Sequence, residues 1–536
     1  MLFDFNSVSP EMRAVLEPVA CRHAQEHLSE DCPASLQFVQ MPGISPECCV
    51  VTGYGSQMTL AASDTPGFLC GLGKCLRRIA SGEPMQRTLR FTPQKKLRGV
   101  YFATHFGNWY VSAPEEEVER YIEDLALWGM NTLAVWYDIH AFSGVDDPGA
   151  AALRDRLHMI FRVCRRLGVR TLLGMLANEA FSTSDPTLRA DWCGNQNGYT
   201  SAPQGHYHVE YCPSVPGGMR AILETKAAVL GEFRDCPPDA VWLWPYDQGG
   251  CTCARCAPWG GKGYVDTLRA VAPFVKAALP GCKVLASSWY FGQFTGPEEW
   301  QRFLARTDEV AQCCDGLIAE FPFDLEFPDF LKSYPLPVYG FEELSMRGAC
   351  PWGGFGANPM PDYVSKLGEK LLRFQQGGFV YSEGIFEDLN KCLMLSLFCD
   401  PEQDVNTALR EYARYELGMD GDAAVWLLHS LEETLPRETR QGVDGRVRFI
   451  LAHPENAKEI AGRMDLLYAD TPPRFRSAFR FRQLYLRTQI DRELARNNFL
   501  PNHELQLLYR QLTAMYHAEN ADWVVSPPTE EALARM

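Results

Sequence analysis

The chain has 536 residues, 46% hydrophobic and 22% charged, with 67 acidic against 51 basic side chains and a formal net charge of −16. At roughly 100–200 residues per domain, this length holds two to four domains whose cores need no covalent stapling, which excludes a small disulfide scaffold. The acidic excess repels phosphate backbones and anionic bilayers, and no run approaches the roughly 18 apolar residues of a membrane span, so neither nucleic acid nor a membrane is expected as a partner.

Met1-Leu-Phe-Asp-Phe-Asn-Ser7 has neither a basic start nor an apolar core of a signal peptide. The 19 cysteines are odd in number and include two adjacent pairs, Cys48-Cys49 and Cys313-Cys314. Such a set suits a reducing compartment, and a cytoplasmic chain is expected. Residues 1–95 read as a small α/β domain. Its strands fall at 36–41, 49–54 and 57–62, and its helix at Thr65–Ile79, where Phe68, Leu69, Leu72, Leu76 and Ile79 share one face.

Over residues 96–390 the pattern becomes apolar strand, turn and amphipathic helix. Eight strands are predicted, at 98–104, 132–137, 169–175, 240–245, 283–289, 316–320, 336–341 and 378–383. Strict alternation of this kind implies a parallel sheet covered by helices, and eight units over 250–300 residues point to a (β/α)8 TIM barrel. An open doubly wound sheet is the alternative, disfavoured because no G-x-G-x-x-G follows the first strand. Residues 391–536 read as an α-helical C-terminal domain without strands, with helices near 392–397, 405–417, 423–433, 456–467 and 478–497.

In a barrel the reactive side chains lie at the carboxyl ends of the strands. Those ends supply His105, Asp138, Asn178-Glu179, Asp247-Gln248, Trp289, Glu320, Tyr339, Glu343, Tyr381 and Glu383. Carboxylates and aromatic rings at one mouth suit a carbohydrate substrate: rings stack on pyranose faces, carboxylates accept hydroxyls, and a carboxyl pair can cleave a glycosidic bond. Asp247 leads as general acid/base, since two glycines follow it, and Glu320 and Glu383 compete for the second role. Glu387 and Asp388 are expected to cap or orient the helix after strand eight.

Leu97-Arg-Gly-Val-Tyr-Phe-Ala-Thr-His-Phe106 resembles the first barrel strand of the family 20 β-N-acetylhexosaminidases, and Thr65-Pro-Gly-Phe-Leu-Cys-Gly-Leu-Gly-Lys-Cys-Leu76 resembles a helix of the small domain preceding the barrel in those enzymes and in family 67 α-glucuronidases. The resemblance implies an exo-acting glycosidase in which Arg98 binds sugar hydroxyls, Trp289 walls the terminal sugar and Glu383 binds its outer hydroxyls. The family carries Asp-Glu after strand four. Here the pair is Asp247-Gln248, and glutamine cannot donate a proton as a catalytic acid, which puts substrate-assisted chemistry in doubt.

Cys251-Thr-Cys-Ala-Arg-Cys256 follows the Asp247 loop. No cofactor is expected for catalysis, but Cys251, Cys253 and Cys256 with Cys212, or with Cys193, His206 or His208, could hold a structural zinc; the alternative is a set of reduced, partly buried thiols. Two further readings compete with a glycoside hydrolase. One is a barrel that binds carbohydrate without cleaving it, and the other is a metal-dependent hydrolase or lyase that uses the cysteine loop.

Overall fold

The computed structural model describes residues 1–84, 87–104, 107–190, 209–245, 250–292, 296–320, 326–344, 357–435, 437–441, 447–500 and 502–517. Eight parallel strands close on themselves: β6 (Leu97–Phe102), β7 (Thr132–Trp136), β8 (Arg170–Leu176), β9 (Ala240–Trp244), β10 (Lys283–Ser287), β11 (Gly316–Ala319), β12 (Val338–Glu343) and β13 (Gly377–Ser382), with β13 paired to β6. The closed barrel replaces the open-sheet alternative. Two apolar layers result from the alternation of side chains along each strand. In β9, Val241 and Leu243 pack outward with the helices, whereas Trp242 and Trp244 join Tyr101, Trp136, Leu172, Leu285, Ile318, Phe341, Phe379 and Tyr381 in a separate interior cluster. Gly99 faces the same interior, where a Cβ would overlap the Phe379 ring.

The N-terminal unit contains more elements than the sequence suggests. Strands β1 (Leu2–Ser7), β2 (Ser35–Gln40), β3 (Cys49–Tyr54), β4 (Gln57–Ala62) and β5 (Leu89–Phe91) form a sheet in the order β1-β2-β4-β3-β5, with helices Pro10–His27 and Thr65–Ala80. The first helix and the edge strands β1 and β5 were not expected, because short edge strands carry little periodic signal. Asp64 caps the second helix by accepting the Gly67 amide at 2.9 Å. A Cβ on Gly71 would meet Leu60 and Cys49 of the sheet, and one on Gly73 would meet the Leu127 carbonyl of the first barrel helix. The small residues of this helix therefore let it lie between sheet and barrel.

Helix Asp388–Cys399 runs through residue 390 and is wholly buried except at its last residue, so the barrel extends past the boundary read from the sequence. Helices Val405–Tyr415, Gly421–Glu433, Ala457–Asp470 and Phe479–Arg496 follow the expected series, with His503–Tyr516 added. An antiparallel hairpin, β14 (Arg437–Gln441) with β15 (Val447–Leu451), departs from the all-helical expectation; Gly442-Val-Asp-Gly445 between its strands is turn chemistry. Among the described residues no helix is long and apolar enough to cross a membrane.

One buried ion cluster joins the three units. Arg480 pairs with Asp388 of the last barrel helix (2.7 Å), Asp124 of the first (2.9 Å) and Glu416 (3.4 Å), while Arg22 of the N-terminal unit reaches Asp124 at 3.0 Å. The Tyr412 hydroxyl donates to Asp388 at 2.7 Å and the Trp128 indole to Glu416 at 2.8 Å. Removing one partner from such a cluster leaves uncompensated charge out of water. Arg480→Met should destabilise the chain by roughly 3–5 kcal/mol, read as a lowered urea midpoint.

Candidate active site

The interior alternation continues past the strand ends, and there it changes from rings to acids. Ala134 and Trp136 lead to Asp138, Ile318 to Glu320, Phe341 to Glu343, and Phe379 and Tyr381 to Glu383. Glu320, Glu343 and Glu383 belong to three neighbouring strands, β11, β12 and β13. Beneath them the rings are close-packed. Trp242 and Trp244 stack with centroids 4.5 Å apart, Trp289 meets Trp244 edge-on at 5.0 Å, and Phe341 lies 5.2 Å from Trp244 and 5.7 Å from Tyr381. These rings exclude water from the barrel and leave little dielectric screening under the carboxylates.

Glu383 is 4% exposed and accepts the Tyr381 hydroxyl at 2.7 Å. Burial, with the neighbouring charges of Glu387 and Glu343, pushes its carboxyl from an ordinary 4.5 up to about 8, against the lowering effect of the Tyr381 hydrogen bond. Behind it, the Tyr516 hydroxyl donates to the Glu383 carbonyl at 2.6 Å, so the last helix fixes the backbone at this point. Glu387 accepts the Ser382 hydroxyl (2.9 Å) and the Gly384 amide (3.2 Å), and Lys391 donates to Ser382, Tyr110 and the Gly384 carbonyl. Glu387 and Asp388 thus brace the strand-eight turn and begin the following helix.

A second group lies beyond β7 and β8. His140 pairs with Asp138, and its Nδ1 is 3.8 Å from the fully buried Glu179. Burial opposes charge on the imidazole, but its bonds to Asp138 and Glu179 prevail and push it up to about 10; burial raises Asp138 to about 6. The ligand atoms of Asp138, His140 and Glu179 lie within 4.8 Å of one another. Glu179 bridges in β fashion to Glu210, and Asn178 donates to Glu210 at 3.4 Å and to the Tyr211 carbonyl at 2.8 Å. Lys226 bonds the Leu176 carbonyl at 2.6 Å, and burial lowers its ammonium to about 8.

The structure brings Asp138, Trp289, Glu320, Glu343, Tyr381 and Glu383 to the mouth end of the barrel or to the rings beneath it. Two expectations are corrected. Arg98 opens β6 at the opposite end and lies on the outward-facing alternation. Its guanidinium, 3% exposed, bonds Glu47 of the N-terminal unit at 2.8 Å and the Gly129 carbonyl at 2.7 Å, so it joins domains and does not meet a substrate at the mouth. Tyr339 begins β12, which runs on to Glu343, and its ring faces Gly316 at the strand entrance. Asp247 and His105 lie outside the described residues. Among the other aromatic residues near the strand ends, Trp136 and Trp244 line the interior, whereas Trp109 and Tyr137 belong to the outer core. Tyr290, directly after Trp289, adopts a left-handed φ of 55°, strain of roughly 1–3 kcal/mol that in bulky residues concentrates at functional sites.

Glu210 and Lys226 were missed as site residues. Neither lies at a strand end: Glu210 comes from the loop after β8 and Lys226 from the helix Gly218–Glu232. Glu179 was visible as a strand-end residue, but its contact with His140 was not. Cys212, Cys251, Cys253 and Cys256, by contrast, are gathered as expected.

No protein-family model matches the sequence, and no curated protein matches it. Among solved structures the chain is similar to a family 89 glycoside hydrolase from Clostridium perfringens, in a form with two glutamates replaced by glutamine and bound to its substrate GlcNAc-α-1,4-galactose. The TM-score is 0.63 at 11% identity, over 94% of this chain and 62% of that one. A family 138 enzyme targeting pectin rhamnogalacturonan II gives 0.58 at 10% identity, over 97% and 71%. A family 20 exo-β-N-acetylglucosaminidase from Vibrio harveyi, in complex with N-acetylglucosamine, gives 0.51 at 13% identity, over 80% and 74%. At these identities the likeness is one of fold, and at that level the expected resemblance to the family 20 barrels holds. The chain spans less than two thirds of the length of the family 89 enzyme.

The displaced Glu383 carboxyl has a consequence for stability. Between 4.5 and about 8 the folded chain holds a proton there that the unfolded chain has released, so this contribution is full at low pH and is lost as pH rises through about 8. Glu383→Gln is neutral at every pH. Its Tm should exceed that of the unaltered protein at about pH 8.5, with the gap closing towards about pH 5.

Proposed function

We propose that the protein is a glycoside hydrolase that removes a terminal sugar, of the N-acetylhexosamine class, from small glycosides. The observation that carries this reading is the row of inward carboxylates Glu320, Glu343 and Glu383 closing a barrel filled with aromatic rings, with Glu383 holding its proton near neutral pH beside the charge of Glu343. Glycosidic cleavage needs that division: one carboxyl protonated to release the leaving oxygen, and one carboxylate to attack the anomeric carbon or to activate water. In this reading Glu383 donates the proton and Glu343 acts as the carboxylate. The Tyr381 hydroxyl holds Glu383 in place, and Trp289 offers the face on which a pyranose ring stacks. The sugar class draws support from the fold neighbours in complex with GlcNAc-α-1,4-galactose and with N-acetylglucosamine. Asp247, first for the acid role by sequence, is the competing donor.

The test is a panel of aryl N-acetylglucosaminides, N-acetylgalactosaminides, galactosides and glucuronides in both anomers. Cleavage of an N-acetylhexosaminide is expected, with kcat/KM falling as pH rises through about 8 and with Glu383→Gln and Glu343→Gln each losing about 100- to 10,000-fold. Should Asp247→Asn abolish the alkaline limb while Glu383→Gln leaves it intact, the acid role moves to Asp247. If no glycoside is cleaved yet sugars raise the Tm, the protein is a carbohydrate-binding barrel and the enzyme reading fails.

A further inference from the structure

Four sulfurs from two distant segments meet at the mouth, between the loops that follow β8 and β9. Cys212 is placed by its backbone: the Tyr211 amide donates to the Asn178 carbonyl at 2.8 Å, and the Cys212 amide to the Leu188 carbonyl at 2.9 Å. In the second segment the amides of Cys256 and Ala257 both donate to the Cys253 carbonyl at 2.9 Å, which turns the chain back on itself. The ligand atoms of Cys212, Cys251, Cys253 and Cys256 lie within 4.8 Å of one another, with Cys212 Sγ 3.9 Å from Cys253 Sγ and 3.8 Å from Cys256 Sγ.

These spacings distinguish among the states available to four thiols. A disulfide needs sulfurs about 2.05 Å apart, whereas Cys212 Sγ stands 3.9 and 3.8 Å from those of Cys253 and Cys256. Four sulfurs at about 2.3 Å from a tetrahedral zinc stand about 3.8 Å from each other. Cys212, Cys251 and Cys256 are at most 1% exposed. Isolated core cysteines fill space singly or in pairs, as Cys313 and Cys314 do; a tetrad with three buried members, all within 4.8 Å and with two sulfur pairs at tetrahedral spacing, is different.

We propose that Cys212, Cys251, Cys253 and Cys256 bind one zinc ion as a closed, structural tetrathiolate site. The Ser214 hydroxyl, 2.8 Å from Cys256 Sγ, donates to a coordinated thiolate, and the Lys262 ammonium, bonded to the Ala254 carbonyl at 3.1 Å, offsets the residual negative charge of a zinc with four thiolates. Four sulfur ligands leave no position for water, so the ion has no part in bond cleavage. Its role is mechanical. It staples the loop that carries Glu210 to the loop that follows β9, whose sequence places Asp247 four residues before Cys251. The site stands independently of the chemistry proposed at Glu383.

The full chain, purified without chelator from zinc-supplemented cells and desalted, should contain about one zinc per chain by elemental mass spectrometry. X-ray absorption at the zinc edge should show four sulfur neighbours at about 2.3 Å. Cys212→Ser/Cys256→Ser should lose the metal, whereas Cys21→Ser, at an exposed position, should keep it. The absorption measurement on the unaltered protein decides the matter even if the double variant does not fold. Zinc content well below one with all four thiols open to a thiol reagent overturns the proposal, as does oxygen or nitrogen in the first shell, iron at the same stoichiometry, or zinc retained by the folded double variant.

Discussion

The removal of water from the barrel interior is the constraint on which the site depends. Eight buried rings, Tyr101, Trp136, Trp242, Trp244, Trp289, Phe341, Phe379 and Tyr381, occupy space that smaller residues would leave open, and the carboxylates stand where that packing ends. A carboxyl group there loses solvation below and gains like-charged neighbours beside it, and both effects favour the protonated form. At Glu383 burial and the charges of Glu387 and Glu343 outweigh the lowering hydrogen bond from Tyr381. Aromatic content and acidity at the mouth are therefore one design: the rings produce the electrostatics that make a carboxyl an acid near neutral pH.

The two ends of the barrel are organised differently. At the strand entrances polar pairs serve assembly. Arg98 bonds Glu47, Asn131 donates to the same carboxylate at 2.7 Å, and the N-terminal unit is fastened there. At the strand exits acids gather, with His140 paired to Asp138 and with Lys226 and Lys391 bonded to the Leu176 and Gly384 carbonyls.

The helical unit is part of the site's support. Tyr516 holds the Glu383 backbone from outside the barrel and stacks on Phe386 at 5.0 Å, while Arg480 anchors the helix that begins at Asp388. The strand-eight acid is thus positioned by Tyr516, 133 residues downstream, and its helix by Arg480, 92 residues beyond Asp388, which explains why the chain invests so many buried polar groups between barrel and helices.

Periodicity alone determined the eight-unit barrel, the preceding α/β unit and the helical series, because strands with one inward and one outward face alternate and helices recur at three and four. The same alternation, read through the strand ends, already contains Asp138, Glu320, Glu343 and Glu383 as inward residues; it also places Arg98 on the other face, which a motif match by itself does not reveal. What only the tertiary structure decided is proximity across the chain. Glu210 beside Glu179, Lys226 beneath them, Tyr516 on Glu383 and Cys212 among the cysteines of the β9 loop are contacts between segments tens to hundreds of residues apart. Loop closure and packing set these contacts, and no local pattern records them. The acidity of Glu383 belongs to the same class, since burial and neighbouring charge exist only once the barrel has closed.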